Sequence, residues 1–85
     1  MSTEHKYVRH SVLGFILFPT QDILWHKHIG VLMRQVSSKG DLVSAGFARI
    51  EGGDVICYGE SESLKMRSKA EDSDLLAKQL GLDQS

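Results

Sequence analysis

The four residues Glu51-Gly52-Gly53-Asp54 constrain the fold more than any other stretch of this chain. They separate two apolar runs, Leu42 to Ile50 and Val55 to Tyr58. Adjacent glycines supply the positive φ angles of a tight primed turn, which other residues reach only at a steric cost. Short runs of strand formers on both sides then read as an antiparallel hairpin. On its first strand Val43, Ala45 and Phe47 share one face, and Leu42, Gly46, Ala48 and Ile50 the other. Gly46 either weakens that strand or marks a close backbone approach.

The flanking segments are read by their periods. Residues 1–6 are polar and expected to fray. Tyr7 to Phe18 is rich in strand formers, with Val8, Val12 and Ile16 on one face and Leu13, Phe15 and Leu17 on the other. Apolar residues on both faces suit a covered strand, and Pro19 ends it. Thr20 or Asp22 can cap a helix in which Trp25, Ile29, Leu32, Met33 and Val36 form one face. Ser37-Ser38-Lys39-Gly40 closes that helix. A final helix is predicted from about Lys69 to Leu80. Ser68 and Glu71 match a capping box, Asp72 and Asp74 suit the positive end of the dipole, and Gly81 suits the position after the end.

The order strand-helix-strand-strand-helix predicts one small α+β domain over residues 1–85, with a three-stranded mixed sheet and two helices. A right-handed crossover sets the first strand parallel to the second. The first strand then lies at an edge, although its sequence reads as covered. Apolar edges invite pairing, so the expectation is a homodimer, or another homo-oligomer, formed through the strand Val12 to Phe18.

Composition limits the partners. A net charge of −1 gives no broad electrostatic attraction for nucleic acid or an anionic membrane, and neither is expected as a partner. The lone cysteine, Cys57, has no internal disulfide partner, which favours a reducing compartment. The longest unbroken apolar stretch, residues 12–18, is short of the roughly 20 residues of a membrane span. A cytoplasmic protein is the expectation.

Three segments carry side chains with chemical potential. His26-Lys27-His28 places two imidazoles one residue apart. On a helix they lie about 160° apart and cannot hold one ion, so no metal and no cofactor is expected. One imidazole, His26, is the candidate for acid/base or nucleophilic work. Tyr58, Gly59, Glu60, Ser61 and Ser63 leave a strand into a polar loop and form the candidate ligand-binding segment. Its amides and hydroxyls suit an anion, whereas Glu60 and Glu62 suit a cationic ligand. Cys57 sits among apolar neighbours and reads as a small hydrophobe.

Gly46-Phe47-Ala48-Arg49-Ile50, followed by the hairpin and Ile56-Cys57-Tyr58-Gly59-Glu60-Ser61, resembles the strand pair of the Janus family of phosphohistidine phosphatases. There a Gly-x-Arg-Ile strand precedes a Tyr-Gly-x-Ser stretch, and a helix beginning near a catalytic histidine comes before both. His26 falls at the corresponding place. The cysteine- and glycine-rich segment of that family is missing from this chain. The resemblance implies phosphoryl transfer using His26. The residues taken alone imply a small binding or interaction module with no evident catalytic motif, more a binder than an enzyme. Its candidate surfaces are the loop after Tyr58 and the exposed side of the first helix, its ligand or protein partner unknown.

Overall fold

The computed structural model describes residues 2–20, 26–36, 39–62 and 64–82, with backbone alone at residues 2, 3, 26 and 27. Strands β1 (Ser2–His10), β2 (Gly14–Pro19), β3 (Leu42–Glu51) and β4 (Asp54–Tyr58) form an antiparallel sheet in the order β2-β1-β3-β4. Helix α1 (His26–Val36) joins β2 to β3. The short strands β5 (Glu60–Ser61) and β6 (Met66–Arg67) pair with each other, and helix α2 (Asp72–Gln79) follows. The fold is α+β with two helices. No helix among the described residues is long and apolar enough to cross a membrane.

The central hairpin forms as its glycines dictate. Gly52 and Gly53 both adopt positive φ, 59° and 97°, and Glu51 pairs with Asp54. Gly46 proves to be a close approach. A Cβ there would stand 2.6 Å from the Tyr58 carbonyl oxygen.

The expected first strand is instead a hairpin of two, which makes the sheet four-stranded and antiparallel. The chain reverses at residues 11–13, where His10 Nδ1 accepts the amides of Val12 and Leu13 at 3.0 and 3.1 Å. The expected partition of faces largely survives the fold-back. Val8 lies opposite Ile16, so the two share a face, and Phe15 and Leu17 share the other; Val12 and Leu13 move to the turn. Both β2 and β3 run antiparallel to β1, so the crossover through α1 does connect parallel strands, with β1 between them. Residues 2–6, expected to fray, pair along β3 as the first half of β1.

Alternation splits the sheet's side chains between two cores. Val8, Phe18, Leu42 and Ala45 pack with Ile29 and Met33 of α1, joined by Leu64 and Met66 from the β5–β6 hairpin. Tyr7, Phe15 and Ala48 pack with Leu76 of α2, joined by Leu17, Val55, Cys57 and Leu75. The sheet is therefore covered on both faces. The buried side of α1 is Ile29, Gly30 and Met33, whereas Leu32 and Val36, expected inside, are 54% and 76% exposed. Trp25, Ser37 and Ser38 lie outside the described residues.

α2 begins at Asp72, later than expected. Its N-cap, Glu71, makes no side-chain capping bond, so Ser68 and Glu71 form no capping box. Its C-terminus closes as expected. The Gly81 amide donates to the Lys78 carbonyl and the Leu82 amide to the Ala77 carbonyl, the paired bonds of a Schellman ending.

α2 also crosses the sheet from edge to edge. Near its start the Ser73 hydroxyl accepts the Cys57 amide of β4 at 2.9 Å. At its end the Gln79 carboxamide bonds both backbone groups of Phe15 on β2, each at 2.8 Å. Those groups point away from β1, and Pro19 further along β2 has no amide to offer. Within residues 12–18, where strand pairing with a second copy was expected, Leu17 alone has the same outward parity as Phe15.

Candidate functional site

The candidate site is built at one end of the face that carries α1. Val8 of β1 packs under α1, so Lys6, two residues earlier, stands on the same face. Its cross-strand neighbours are Phe18 on β2 and Phe47 on β3. Phe47 in turn lies opposite Tyr58, the last residue of β4, and the two rings stack at 5.9 Å. The Tyr58 hydroxyl donates to the Glu4 carboxylate, and the Arg49 guanidinium lies 5.7 Å from the Tyr58 ring centre. Lys6 therefore rises beside a firmly held aromatic pair.

The chain turns at Gly59, which comes so near Phe47 that a Cβ would meet its ring at 3.0 Å. The Gly59 carbonyl accepts the Ser68 amide, and this closes the base of the β5–β6 hairpin. Within that hairpin Glu60 is exposed and lies opposite Arg67. Ser61 is 2% exposed, and its hydroxyl accepts the Leu64 amide at 3.3 Å. Leu64 packs against Gly30 of α1. Arg34, near the end of α1, bonds Asp41 at 3.3 Å, beyond the His10 and Leu42 end of the sheet. The first turn of α1 is accordingly directed toward the opposite end, where Lys6 and Gly59 stand.

His26 is the first residue of α1, one helical turn before the contact between Gly30 and Leu64. Its imidazole and the whole of Ser63 lie outside the described residues. Of the expected ligand-binding residues, Glu60 and Ser61 line a shallow pocket of the β5–β6 hairpin with Glu62, Lys65, Met66 and Arg67, whereas Tyr58 and Gly59 stand beside Phe47. Lys6 was missed in the sequence because it lay in a segment read as frayed. The alternation Lys6-Val8-His10 was the available signal. The exposed side of α1 presents Val31, Leu32 and Val36 as an apolar surface.

The opposite face holds a second polar cluster, with a structural role. Asp72 is fully buried. It accepts the Tyr7 hydroxyl at 2.6 Å, Arg9 Nη1 at 2.9 Å and the Lys69 amide at 2.9 Å. Burial alone would raise its pKa, but these donors outweigh burial and hold the carboxyl below its usual range. The Ser44 hydroxyl lies near enough to add to this without forming a full bond. Burial and then the Asp72 carboxylate push the Tyr7 hydroxyl far upward. Burial and Asp72 likewise push Cys57 up to about 11, which leaves a neutral thiol at pH 7. No family model, no curated protein and no solved structure matches this chain.

Proposed function

We propose that this chain is a small binding module for a phosphoryl group, held where Lys6, the first turn of α1 and residues 59–62 meet. One observation carries the reading. Strand register sets Lys6 beside Phe47, and the Gly59 backbone lies against the same Phe47 ring. Lys6 and the Gly59 backbone thus flank one aromatic ring, and the first turn of α1 is directed toward the same end of the sheet. Cation, helix N-terminus and turn amides favour an anion against the opposing charge of Glu60 and Glu62. Arg67 faces Glu60 across the small hairpin and offsets its charge.

Phosphoryl transfer is the second reading, favoured by the place of His26 at the first turn of α1. In that reaction an imidazole nitrogen forms a bond to phosphorus while the bond to the leaving group breaks. Water then cleaves the N–P bond and releases phosphate.

Titration with inorganic phosphate, followed by amide chemical shifts, tests the first reading. The expected result is a saturable shift at residues 59–62 and at the start of α1, lost in Lys6→Met. Shifts confined to the chain ends, or an unchanged response in Lys6→Met, would overturn it. Incubation with phosphoramidate separates the second reading. Acid-labile phosphate on the chain, absent in His26→Ala while the shifts persist, identifies transfer. Binding without turnover leaves the module alone.

A further inference from the structure

We infer that the outer edge of β4 is a strand-addition site for an extended peptide carrying basic residues. The argument begins with hydrogen-bond parity. The Gly52-Gly53 turn closes on the pair Glu51 and Asp54, so that pair exchanges backbone bonds, and so do the alternate pairs Arg49 with Ile56 and Phe47 with Tyr58. The intervening pairs, Ile50 with Val55 and Ala48 with Cys57, direct the β4 backbone groups outward. The Cys57 amide shows this parity directly, since it donates away from the sheet to Ser73. Val55 has the same parity. Its amide and carbonyl, and the Cys57 carbonyl, form an open edge of two acceptors and one donor with no backbone partner among the described residues.

A groove runs along this edge between β4 and α2. Val55, Ala77 and Leu82 give it an apolar lining, Ser73 stands beside them, and Ile56, directed to the other face of the sheet, forms its outer rim. Ile56 is 46% exposed. An added strand would satisfy the open backbone groups and set alternate side chains against this lining, the mode by which sheets take up extended peptides. The charge of the groove selects the peptide. Asp54 and Asp74 both line it, both are exposed, and among the described residues no lysine or arginine does. An extended segment in which lysine or arginine alternates with β-branched residues matches both features.

The test uses the intact chain and the peptide acetyl-Lys-Val-Lys-Val-Lys-amide, followed by amide shifts and exchange. Saturable shifts at Val55 and Ala77, with slowed exchange of the Val55 amide, are expected. The Glu-Val-Glu-Val-Glu counterpart should bind at least about tenfold more weakly, and Asp54→Asn with Asp74→Asn should lower the affinity of the basic peptide. Val55→Pro removes the outward donor and should abolish the shift at Ala77. Should that variant fail to fold, peptides N-methylated along one edge or the other replace it, and one of the two must lose binding. Equal binding of the acidic peptide, equal binding of both N-methylated peptides, or no response at Val55 would overturn the inference. A concentration-dependent doubling of mass that protects Val55 without peptide would also overturn it, since a second copy would then fill the edge.

Discussion

Asp72 shows how one side chain ties distant parts of this chain together. It joins α2 to the central strand through Tyr7 and Arg9, and it also binds the Lys69 amide just before its own helix. Asp72→Ala would leave a buried hydroxyl and a guanidinium without their acceptor. Breaking a buried pair of this kind costs about 3–5 kcal/mol, to be read as a fall in the urea midpoint. Acid should act through the same group. The folded pKa lies below the unfolded value of about 3.9, so the contribution is complete above that value. It is lost as pH falls through the lower folded value. An acid limb unchanged between the wild type and Asp72→Asn would contradict this assignment. None of it was visible in the sequence. Asp72 matched the acidic first turn that many helices carry, and its side-chain partners Tyr7 and Arg9 lie more than sixty residues away in the chain.

At the level of elements, the sequence was most legible where backbone stereochemistry is strict. The two-glycine turn and the ending at Gly81 formed as their residues required. Periodicity was a weaker guide. In α1 the apolar residues outnumber those a single contact face can bury, so the spacing could not say which of them face the sheet. Met33 is 1% exposed and Leu32 54%. Met33→Ala should therefore cost about 2–5 kcal/mol and Leu32→Ala within about 0.5 kcal/mol, in parallel denaturation curves. Equal costs would place the wrong face inward. For α2 the same reasoning moves the sensitive serine. Ser73→Ala removes the acceptor of the Cys57 amide and should cost about 1 kcal/mol, whereas Ser68→Ala should leave the helix's stability unchanged. The reversal at residues 11–13 escaped notice because its anchor is the buried imidazole of His10, which no turn preference announces.

The whole molecule is a four-stranded sheet with a helix on each face, and its sides differ in purpose. The α2 side is packed at its centre around Leu76 and the Asp72 network, with the groove along β4 at its margin. On the α1 side the proposed phosphoryl site lies at the end of the sheet where Lys6 and residues 59–62 stand. In the sequence Tyr58, Gly59 and Ser61 stood out as a polar exit from a strand. Lys6 did not, because its part in the site depends on the pairing of β1 between β2 and β3, a long-range register that local pattern does not encode.

The path of α2 from one sheet edge to the other has a kinetic consequence. The amides of Phe15 and Cys57 lie on opposite edge strands, yet both end on side chains of this single helix, Gln79 and Ser73. Neither can meet solvent freely until its clasp opens. If α2 lifts as one cooperative unit, the two amides share one opening event. Native-state hydrogen exchange should then give Phe15 and Cys57 the same opening free energy and the same denaturant dependence. Gln79→Ala should release Phe15 alone. Distinct opening energies in the unaltered chain would show that the helix frays from its ends, and that each edge keeps its own time.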